Sequence, residues 1–215
     1  MVDRARMQNF SNSIVLLGQG IPFLHAGQDF LRSKSLDRDS YNSGDWFNAI
    51  DFTFKENGWG KGLPVAEKNQ DAWPIMAPLL ANAELKPSQW LSFKTSLMFK
   101  DWLKIRYASP LFRLQDKAAV QRSVSFHNTG PNQLAGLIVM RLRDPQRPYL
   151  PEQLVLFNGT NQEISFQSNT LDAKHYRLHP VQRWSIDRLA ASAKYRAGEF
   201  RVPAMSTAVF IGSRY

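Results

Sequence analysis

Cysteine is absent from this 215-residue chain. Its absence excludes disulfides, thiolate metal sites and a thiol nucleophile in one step. No apolar run approaches the roughly 20 residues that a membrane-spanning helix needs, so no membrane span is predicted. The first residues, 1–8, lack the basic-then-apolar order of a signal peptide, and we therefore expect Met1 to be an internal or introduced start.

Hydrophobic and aromatic residues are plentiful, at 43% and 12% of the chain. That content is enough for a core, so the sequence predicts a folded protein rather than a disordered one. A length of 215 residues fits either one large domain or two small ones.

Positive charge is concentrated in the second half of the chain. Residues 1–108 carry 13 Lys and Arg against 11 Asp and Glu, whereas residues 109–215 carry 14 against 7. An Arg-rich half can mark a nucleic-acid partner. The cations are nevertheless dispersed rather than clustered in a run, and no nucleic-acid motif accompanies them. We therefore expect a solvated sheet face and no nucleic-acid partner.

The first half reads as a helix, a short strand, a long loop and a helix. Apolar residues recur at helical spacing from Met7 to Leu17, and glycines then end the pattern. The apolar run 21–26 is predicted to be a buried parallel strand. The Gly- and Pro-rich stretch 27–87 is predicted to be a loop, which at that length is normally functional. Ser88 is a candidate cap for a second helix.

This order of elements is that of the closing part of an α/β barrel. A complete barrel needs about 250 residues, so 108 residues cannot contain one. Residues 1–108 are therefore predicted to be only the end of a barrel, with a long loop after its last strand.

Residues 109–215 are predicted to be an antiparallel β-sandwich, so the fold class is α/β followed by all-β. The stretch from Val120 to Phe126 alternates with a two-residue period, and turn sequences stand at 128–131 and 158–160. Further strands are predicted over residues 137–142, 153–157, 163–166 and 207–211.

Long, gapless strings run through both halves of the chain. The most informative are 6–8, 16–23, 25–27, 31–35, 38–48, 105–114, 126–131 and 136–140. Over practically the whole chain, these strings resemble the pullulanase-type α-1,6-glucosidases, starch-debranching enzymes of the α-amylase superfamily. The resemblance implies that residues 21–26 are the eighth barrel strand and that residues 109–215 are the dedicated C-terminal domain of that family.

The resemblance also implies a parent enzyme that is a retaining glycoside hydrolase acting on α-1,6 branch linkages in pullulan, starch or glycogen. Such a mechanism uses one carboxylate as nucleophile and another as acid/base. In the family, both carboxylates and a His-Asp-Asn motif lie upstream of the position of Met1, and none of these motifs occurs here. We therefore expect a C-terminal fragment that is inactive alone, with no catalytic residue, metal or cofactor of its own. The parent is expected to be secreted or attached to the cell envelope, with a cytoplasmic location left open.

The loop after the predicted strand carries the candidate substrate-binding residues. Sugar sites combine aromatic faces with Asp, Asn and Arg side chains that bind hydroxyl groups. The candidates are Arg38, Asp39, Asp45, Trp46 and Asn48. The resemblance implies that Asp39 contacts glucose residues near the cleaved linkage. The alternative is that Asp39 and Asp45 organise turns through backbone amides.

Neighbouring side chains have structural explanations that compete with functional ones. Arg32 and Arg38 are expected to pair with Asp39 and Asp45 rather than to contact sugar. Trp46 and Phe47 are expected to lie in the core under the loop. His25, on the predicted strand, is expected to be a hydrogen-bonded core residue rather than a catalyst.

His175 and His179 have the spacing of a metal-binding pair on a helix. Pro180 argues against a helix at that point, and no third ligand is nearby in the sequence. Zinc is therefore not expected.

Two alternative functions remain open at this stage. Besides the pullulanase fragment, the chain could be a free-standing module that binds carbohydrate or protein without catalysis. It could also be part of a limit dextrinase or amylopullulanase. The expected partners are an α-glucan in the full-length enzyme and the missing barrel portion. Apolar surface left without that portion predicts either self-association of the isolated chain through its first half or local disorder between roughly residues 27 and 87. Affinity for maltosaccharides is expected to be weak.

Overall fold

A computed structural model describes residues 1–168, 171 and 175–213 of the chain. Contacts between residues divide the chain into two compact units. The first unit comprises Met1–Gln8 and Leu24–Leu97, and the second comprises Asn9–Phe23 and Met98–Tyr215.

Two long helices form where the sequence predicts them. Helix α1 spans Val2–Leu17, and its end is marked by Gly18, whose amide donates to the carbonyl of Ile14 at 3.1 Å. A later helix, α5, spans Gln89–Ala108. Ser88 caps α5, because its hydroxyl accepts a hydrogen bond from the amide of Leu91 at 3.2 Å.

The strand predicted over residues 21–26 does not form. The side chains of Ile21 and Phe23 are 86% and 88% exposed rather than buried. A strand needs a neighbouring backbone to exchange hydrogen bonds with. In the described residues, every strand pairing lies between Val124 and Ser213, and all pairs are antiparallel. The structure therefore does not confirm the predicted barrel end.

The stretch 27–87 is only partly a loop, contrary to the prediction. It contains the short helices α2 (Asp45–Asn48), α3 (Ala66–Asn69) and α4 (Trp73–Ala81). Proline interrupts the sequence pattern without ending α4, which contains Pro78 in its interior and has Pro74 in its first turn. At that position the missing N–H group would have had no partner inside the helix, so proline costs little there.

A short helix replaces part of the strand predicted from the alternation at 120–126. Asp116 accepts a hydrogen bond from the amide of Ala119 at 2.7 Å and so caps α6 (Lys117–Ser123). Only the last three residues form a strand, β1 (Val124–Phe126). The prediction from the alternating pattern did not include the helix cap at Asp116, and this cap fixes the first turn of α6.

The second unit contains two antiparallel sheets. Among the described residues the larger sheet has the strand order β1-β2-β3-β8-β5, and the smaller has the order β4-β7-β6. The predicted strands are β2 (Leu137–Leu142), β3 (Glu152–Asn158), β4 (Ile164–Gln167) and β8 (Ser206–Ser213). The strands not predicted are β5 (His175–Leu178), β6 (Lys194–Arg196) and β7 (Glu199–Val202).

One apolar core lies between the two sheets, as in a sandwich. Alternate residues of the central strands enter it, for example Leu154 and Leu156 of β3. Phe200 of the smaller sheet and Phe210 of the larger one pack edge to face, with ring centroids 5.1 Å apart. These contacts confirm the predicted antiparallel two-sheet arrangement.

The edge of β8 is completed by a side chain where β5 has ended. Helix α7 (Pro180–Arg183) follows β5 directly. The amide group of Gln182 in α7 accepts from the backbone of Val209 and donates to that of Thr207, both at 2.7 Å. Gln182 thus satisfies backbone groups that would otherwise be buried without partners.

Candidate functional site

The loop that carries the substrate-binding candidates surrounds an open depression of about 510 Å³ in the first unit. Its lining residues are Lys34, Asp37, Arg38, Asp39, Ser40, Tyr41 and Asn48. The structure therefore brings Arg38, Asp39 and Asn48 together. It does not place Asp45 or Trp46 in the lining.

Asp37 organises this loop, although the sequence analysis did not single it out. Its carboxylate accepts hydrogen bonds from the Asp39 amide at 3.1 Å, from Asn69 Nδ2 at 3.0 Å and from the Ser43 hydroxyl. Partial burial raises the pKa of Asp37, but these hydrogen bonds outweigh burial and leave the pKa below its usual value. The spacing of Asp37 and Asp39, two residues apart, is the signal of an Asx turn that would have identified it.

Asp39 combines a turn role with an ion pair. One oxygen accepts from the amide of Tyr41 at 3.4 Å, and the other pairs with the ammonium group of Lys68. The hydrogen bond from Lys68 is the main reason that the pKa of Asp39 lies below its usual value. The carboxylate remains half exposed, so it is ionised and accessible to a ligand.

The two arginines do not pair with the predicted carboxylates. Arg38 forms its ion pair with Asp71, at 2.5 Å, and also donates to the carbonyl of Lys68. Arg32 donates to the carbonyls of Ala26, at 3.1 Å, and Asn48. The prediction was wrong because the partners of Arg38 lie about 30 residues away in the sequence, beyond the reach of a local pattern.

The remaining candidates lie on α2. Asp45 occupies its first turn and is exposed, and its carboxylate forms no hydrogen bond or ion pair among the described residues. Trp46 is 56% exposed and packs edge-on against the buried Phe47, at 4.6 Å. The expectation of a core position is therefore confirmed for Phe47 and wrong for Trp46. Phe47 takes the inward side of this single helical turn, which leaves Trp46 outside.

Asn48 ties α2 to the start of the loop. Its side-chain amide donates to the carbonyl of Ser40 at 2.8 Å and to that of Gly44 at 3.2 Å. Because both amide hydrogens are used on the backbone, Asn48 shapes the rim of the depression.

The histidines hold positions that differ from those predicted. His25 is exposed rather than part of the core, and its backbone amide donates to the side chain of Gln28 at 3.3 Å. His179 is buried and caps α7, because its Nδ1 accepts from the amide of Val181 at 3.2 Å. Pro180 begins this helix instead of preventing it. Burial lowers the pKa of His179 to about 4.

The described part of the chain shows neither a metal-binding cluster nor a membrane-spanning helix. It contains no group of three or more His, Cys, Asp or Glu residues arranged to hold a metal ion. It also contains no helix long and apolar enough to cross a membrane.

Comparison with known proteins decides the family. Residues 54–213 match the family described as "Alpha-1,6-glucosidases, pullulanase-type, C-terminal". The chain belongs to this family. It is 45% identical over 223 residues to "Pullulanase 1, chloroplastic" from Arabidopsis thaliana, an alignment covering 99% of the chain and 23% of that protein. It is 40% identical over 141 residues to a pullulanase from Klebsiella aerogenes, covering 66% of the chain and 13% of that protein.

Solved pullulanase structures share the fold of this family member. The maltotriose complex of PulA from Klebsiella pneumoniae matches with a TM-score of 0.86 and 32% identity, over 99% of this chain and 24% of that one. A pullulanase mutant from Paenibacillus barengoltzii, complexed with maltotetraose, matches in fold with a TM-score of 0.63 and 22% identity, over 99% of this chain and 26% of that one. The chain thus spans about a quarter of the length of these solved chains.

Proposed function

We propose that this chain is the C-terminal part of an enzyme that hydrolyses α-1,6-glucosidic linkages in pullulan, starch or glycogen. The observation that carries the proposal is the 45% identity to a chloroplastic pullulanase across 99% of the chain. In this proposal residues 1–108 are the end of the catalytic barrel and residues 109–215 are the C-terminal β-sandwich domain. The exposure of Ile21 and Phe23 supports the assignment of a barrel end, because large apolar side chains that lie exposed close together are normally covered by another surface.

We further propose that the chain has no glycosidase activity alone. A retaining glycosidase needs two carboxyl groups about 5 Å apart, one free to attack and one free to transfer a proton. In the depression, Asp37 is held by three hydrogen-bond donors and Asp39 by Lys68. Both pKa values lie below the usual range, which is the wrong direction for a general acid.

The five candidates divide into two groups in their proposed role toward a glucan. Trp46 offers an exposed ring face, and Asp39 and Asp45 offer exposed carboxylates to sugar hydroxyls. Arg38 and Asn48 are already engaged with Asp71 and with the loop backbone, so they position the rim. We therefore expect weak binding of maltosaccharides, centred on Trp46 and the two carboxylates.

Hydrolysis is tested by incubating the purified 215-residue chain with pullulan and measuring released reducing ends. We expect no release above background. Turnover that survives the double substitution of Asp39 and Asp45 to Asn would overturn the proposal of an inactive part.

Binding is tested by titrating the chain with maltotriose and following chemical shifts by NMR. Trp46→Ala should remove the weak saturable shifts, whereas Trp184→Ala should leave them unchanged. Trp184 is a matched control because it is an exposed tryptophan in the second unit, 82% accessible. Tight binding that ignores Trp46 would favour a free-standing binding module with a different site.

A further inference from the structure

Aromatic side chains surround an open groove of about 540 Å³ in the first unit. Its lining residues are Phe52, Thr53, Phe54, Gln89, Trp90 and Phe93. Phe52 is 73% exposed, Trp90 60% and Phe93 37%, and an exposed cluster of large apolar side chains commonly marks a binding surface. We call this feature the aromatic groove. It shares no lining residue with the depression around Asp39.

The rings of the aromatic groove are held in place by one another and by a buried ring. Phe54 packs edge-on against the buried Phe30, with ring centroids 5.3 Å apart, and against Phe93 at 5.7 Å. Phe52 contacts the same Phe30 at 6.1 Å, and Trp90 contacts Phe93 at 5.8 Å. Because these contacts fix the exposed rings before a ligand arrives, binding does not require ordering them.

A tight turn places Phe52 at the surface and Phe54 against the interior. The amide of Phe54 donates to the carbonyl of Asp51 at 3.2 Å, and the Asp51 carboxylate accepts from the amide of Thr53 at 2.8 Å. Phe54 has a φ of 62°, in the left-handed region that residues with a side chain rarely adopt. Gln89, in the first turn of α5, fixes the turn further by donating to the carbonyl of Thr53 at 3.2 Å. A strained conformation that its surroundings hold in this way is most common at functional sites.

The lining of the aromatic groove offers hydrogen-bonding groups but no charge. Each lining residue is uncharged, so a charged ligand would lose hydration there without gaining an ion pair. Gln89 uses one amide hydrogen on Thr53, and its side-chain oxygen has no partner among the described residues. Exposed rings beside a free amide oxygen fit a neutral ligand with both apolar faces and hydroxyl groups. Pyranose sugars have this chemistry, because C–H groups form the faces of the ring and hydroxyl groups project from its edge.

We propose that the aromatic groove is a second glucan-binding site. Sugar rings stack on Phe52 and Trp90, and the side-chain oxygen of Gln89 accepts a hydrogen bond from a hydroxyl group. The choice of an α-glucan among neutral sugars rests on the proposed function, in which the parent enzyme acts on such chains. None of the lining residues carries a carboxyl group, so the groove holds a substrate chain and does not cleave it.

Maltoheptaose is the probe, because contacts between single sugar units and rings are weak and several must act together. It is titrated into the whole chain while NMR follows the indole N–H signals of the six tryptophans. Trp90 reports on the aromatic groove, and Trp46 reports on the glucan contacts proposed around the depression. Trp184, which is 82% exposed in the second unit, is the reference. We expect a saturable shift of Trp90 that high ionic strength leaves unchanged, and no shift of Trp184.

Two controls test the role of stacking. Sorbitol, an acyclic polyol with hydroxyl groups but no ring, should not shift Trp90. Phe52→Ala should weaken the maltoheptaose binding seen at Trp90 roughly threefold to tenfold, the usual effect of losing one aromatic contact. Phe23→Ala should leave it unchanged, since Phe23 is an exposed phenylalanine of the second unit. Thermal unfolding of both variants checks that the fold is kept.

The separate tryptophan signals distinguish this proposal from the proposed function. A shift of Trp46 without one of Trp90 keeps the glucan contacts around the depression and overturns the second site. A shift of Trp90 alone supports the second site and removes the contacts proposed around the depression. Equal responses to sorbitol and maltoheptaose, or equal affinities of Phe52→Ala and Phe23→Ala, also overturn the second site. A Trp90 signal that follows dilution of the protein instead of sugar would show that a second copy of the chain occupies the groove.

Discussion

Asp39 and Lys68 form an ion pair across 29 residues of sequence. Asp39 is one of the two carboxylates that we propose for sugar contact, and Lys68 lies in α3. The position of the candidate carboxylate therefore depends on helix α3, 29 residues further along the chain. Because both side chains are more than one-third exposed, the pair contributes little to stability.

Replacing Lys68 should change the titration of Asp39 more than the stability of the fold. In Lys68→Met the pKa of Asp39 should rise toward its ordinary value, because the hydrogen bond from Lys68 is the main cause of its depression. The free energy of unfolding should hardly change, because exposed ion pairs are screened by solvent. Carboxylate carbon shifts followed by NMR against pH measure the pKa. Lys100→Met, at an exposed lysine, is the control, and an equal shift in both variants would contradict the assignment.

Asp51 should make the stability of the first unit sensitive to acid. Its carboxylate accepts from the Thr53 hydroxyl at 2.7 Å, from the Thr53 amide at 2.8 Å and from the Glu56 amide at 2.9 Å. These hydrogen bonds, that from the Thr53 side chain first, lower the pKa of Asp51 to about 2. A lowered carboxyl pKa stabilises the fold above the unfolded value of 3.8, and this stabilisation disappears as the pH falls toward 2.

The variant Asp51→Asn should therefore lose this part of the pH dependence. Urea unfolding between pH 5 and pH 2, monitored by circular dichroism, measures it. Asp3→Asn is the control, at an exposed acid in the first turn of α1. If Asp51→Asn and the unaltered chain keep parallel stability profiles over this range, the proposed role of the carboxylate is incorrect.

His179 should destabilise the second unit as the pH falls below neutrality. Burial lowers its pKa from 6.5 to about 4, so the folded state holds the neutral ring while the unfolded state takes up a proton. Stability that is complete above about pH 6.5 is lost as the pH falls toward 4, on the order of 3 kcal/mol in total. His179→Asn keeps a capping side chain without the titration, and should flatten the profile of unfolding free energy against pH. His175→Asn, at an exposed histidine on β5, should leave the slope unchanged.

Gly212 should tolerate no side chain. In Gly212→Ala the new methyl group would overlap Glu152 and Tyr176, so the second unit should lose about 1 to 3 kcal/mol of stability. Gly159→Ala is the matched control, because a Cβ there would meet its nearest atom, Phe10 Cζ, at an ordinary 3.4 Å. Chemical denaturation of both variants provides the comparison. Equal stabilities would show that the packing of Glu152 and Tyr176 around Gly212 can rearrange.

The sequence predicted those elements whose signals lie within a few residues. Ser88 is a cap because its hydroxyl reaches an amide three residues ahead, and β2 forms over the predicted residues 137–142 because apolar side chains dominate there. The family was also evident from the sequence, because long strings that resemble those of the family can be recognised without knowledge of the fold.

Predictions from local patterns were wrong where the same residues fitted both a strand and a helix. The alternation at Val120–Phe126 fitted a strand, but the cap at Asp116 selected a helix for most of it. The short strands β6 and β7 carry alternating charged and apolar residues over only three or four positions. Such segments form strands only when neighbouring strands hydrogen-bond to them, and the sequence of the segment does not specify those neighbours.

The candidate site shows the same division. The sequence by itself determined which side chains are available on the loop: carboxylates, arginines and aromatic rings within residues 38–48. Only the tertiary structure decided that Arg38 pairs with Asp71, that Lys68 holds Asp39, and that Trp46 faces solvent. It also decided that residues 21–26 form no strand. The physical reason is that ion pairing, burial and strand formation are set by groups brought close in space, whereas capping and turns are set by groups a few bonds apart.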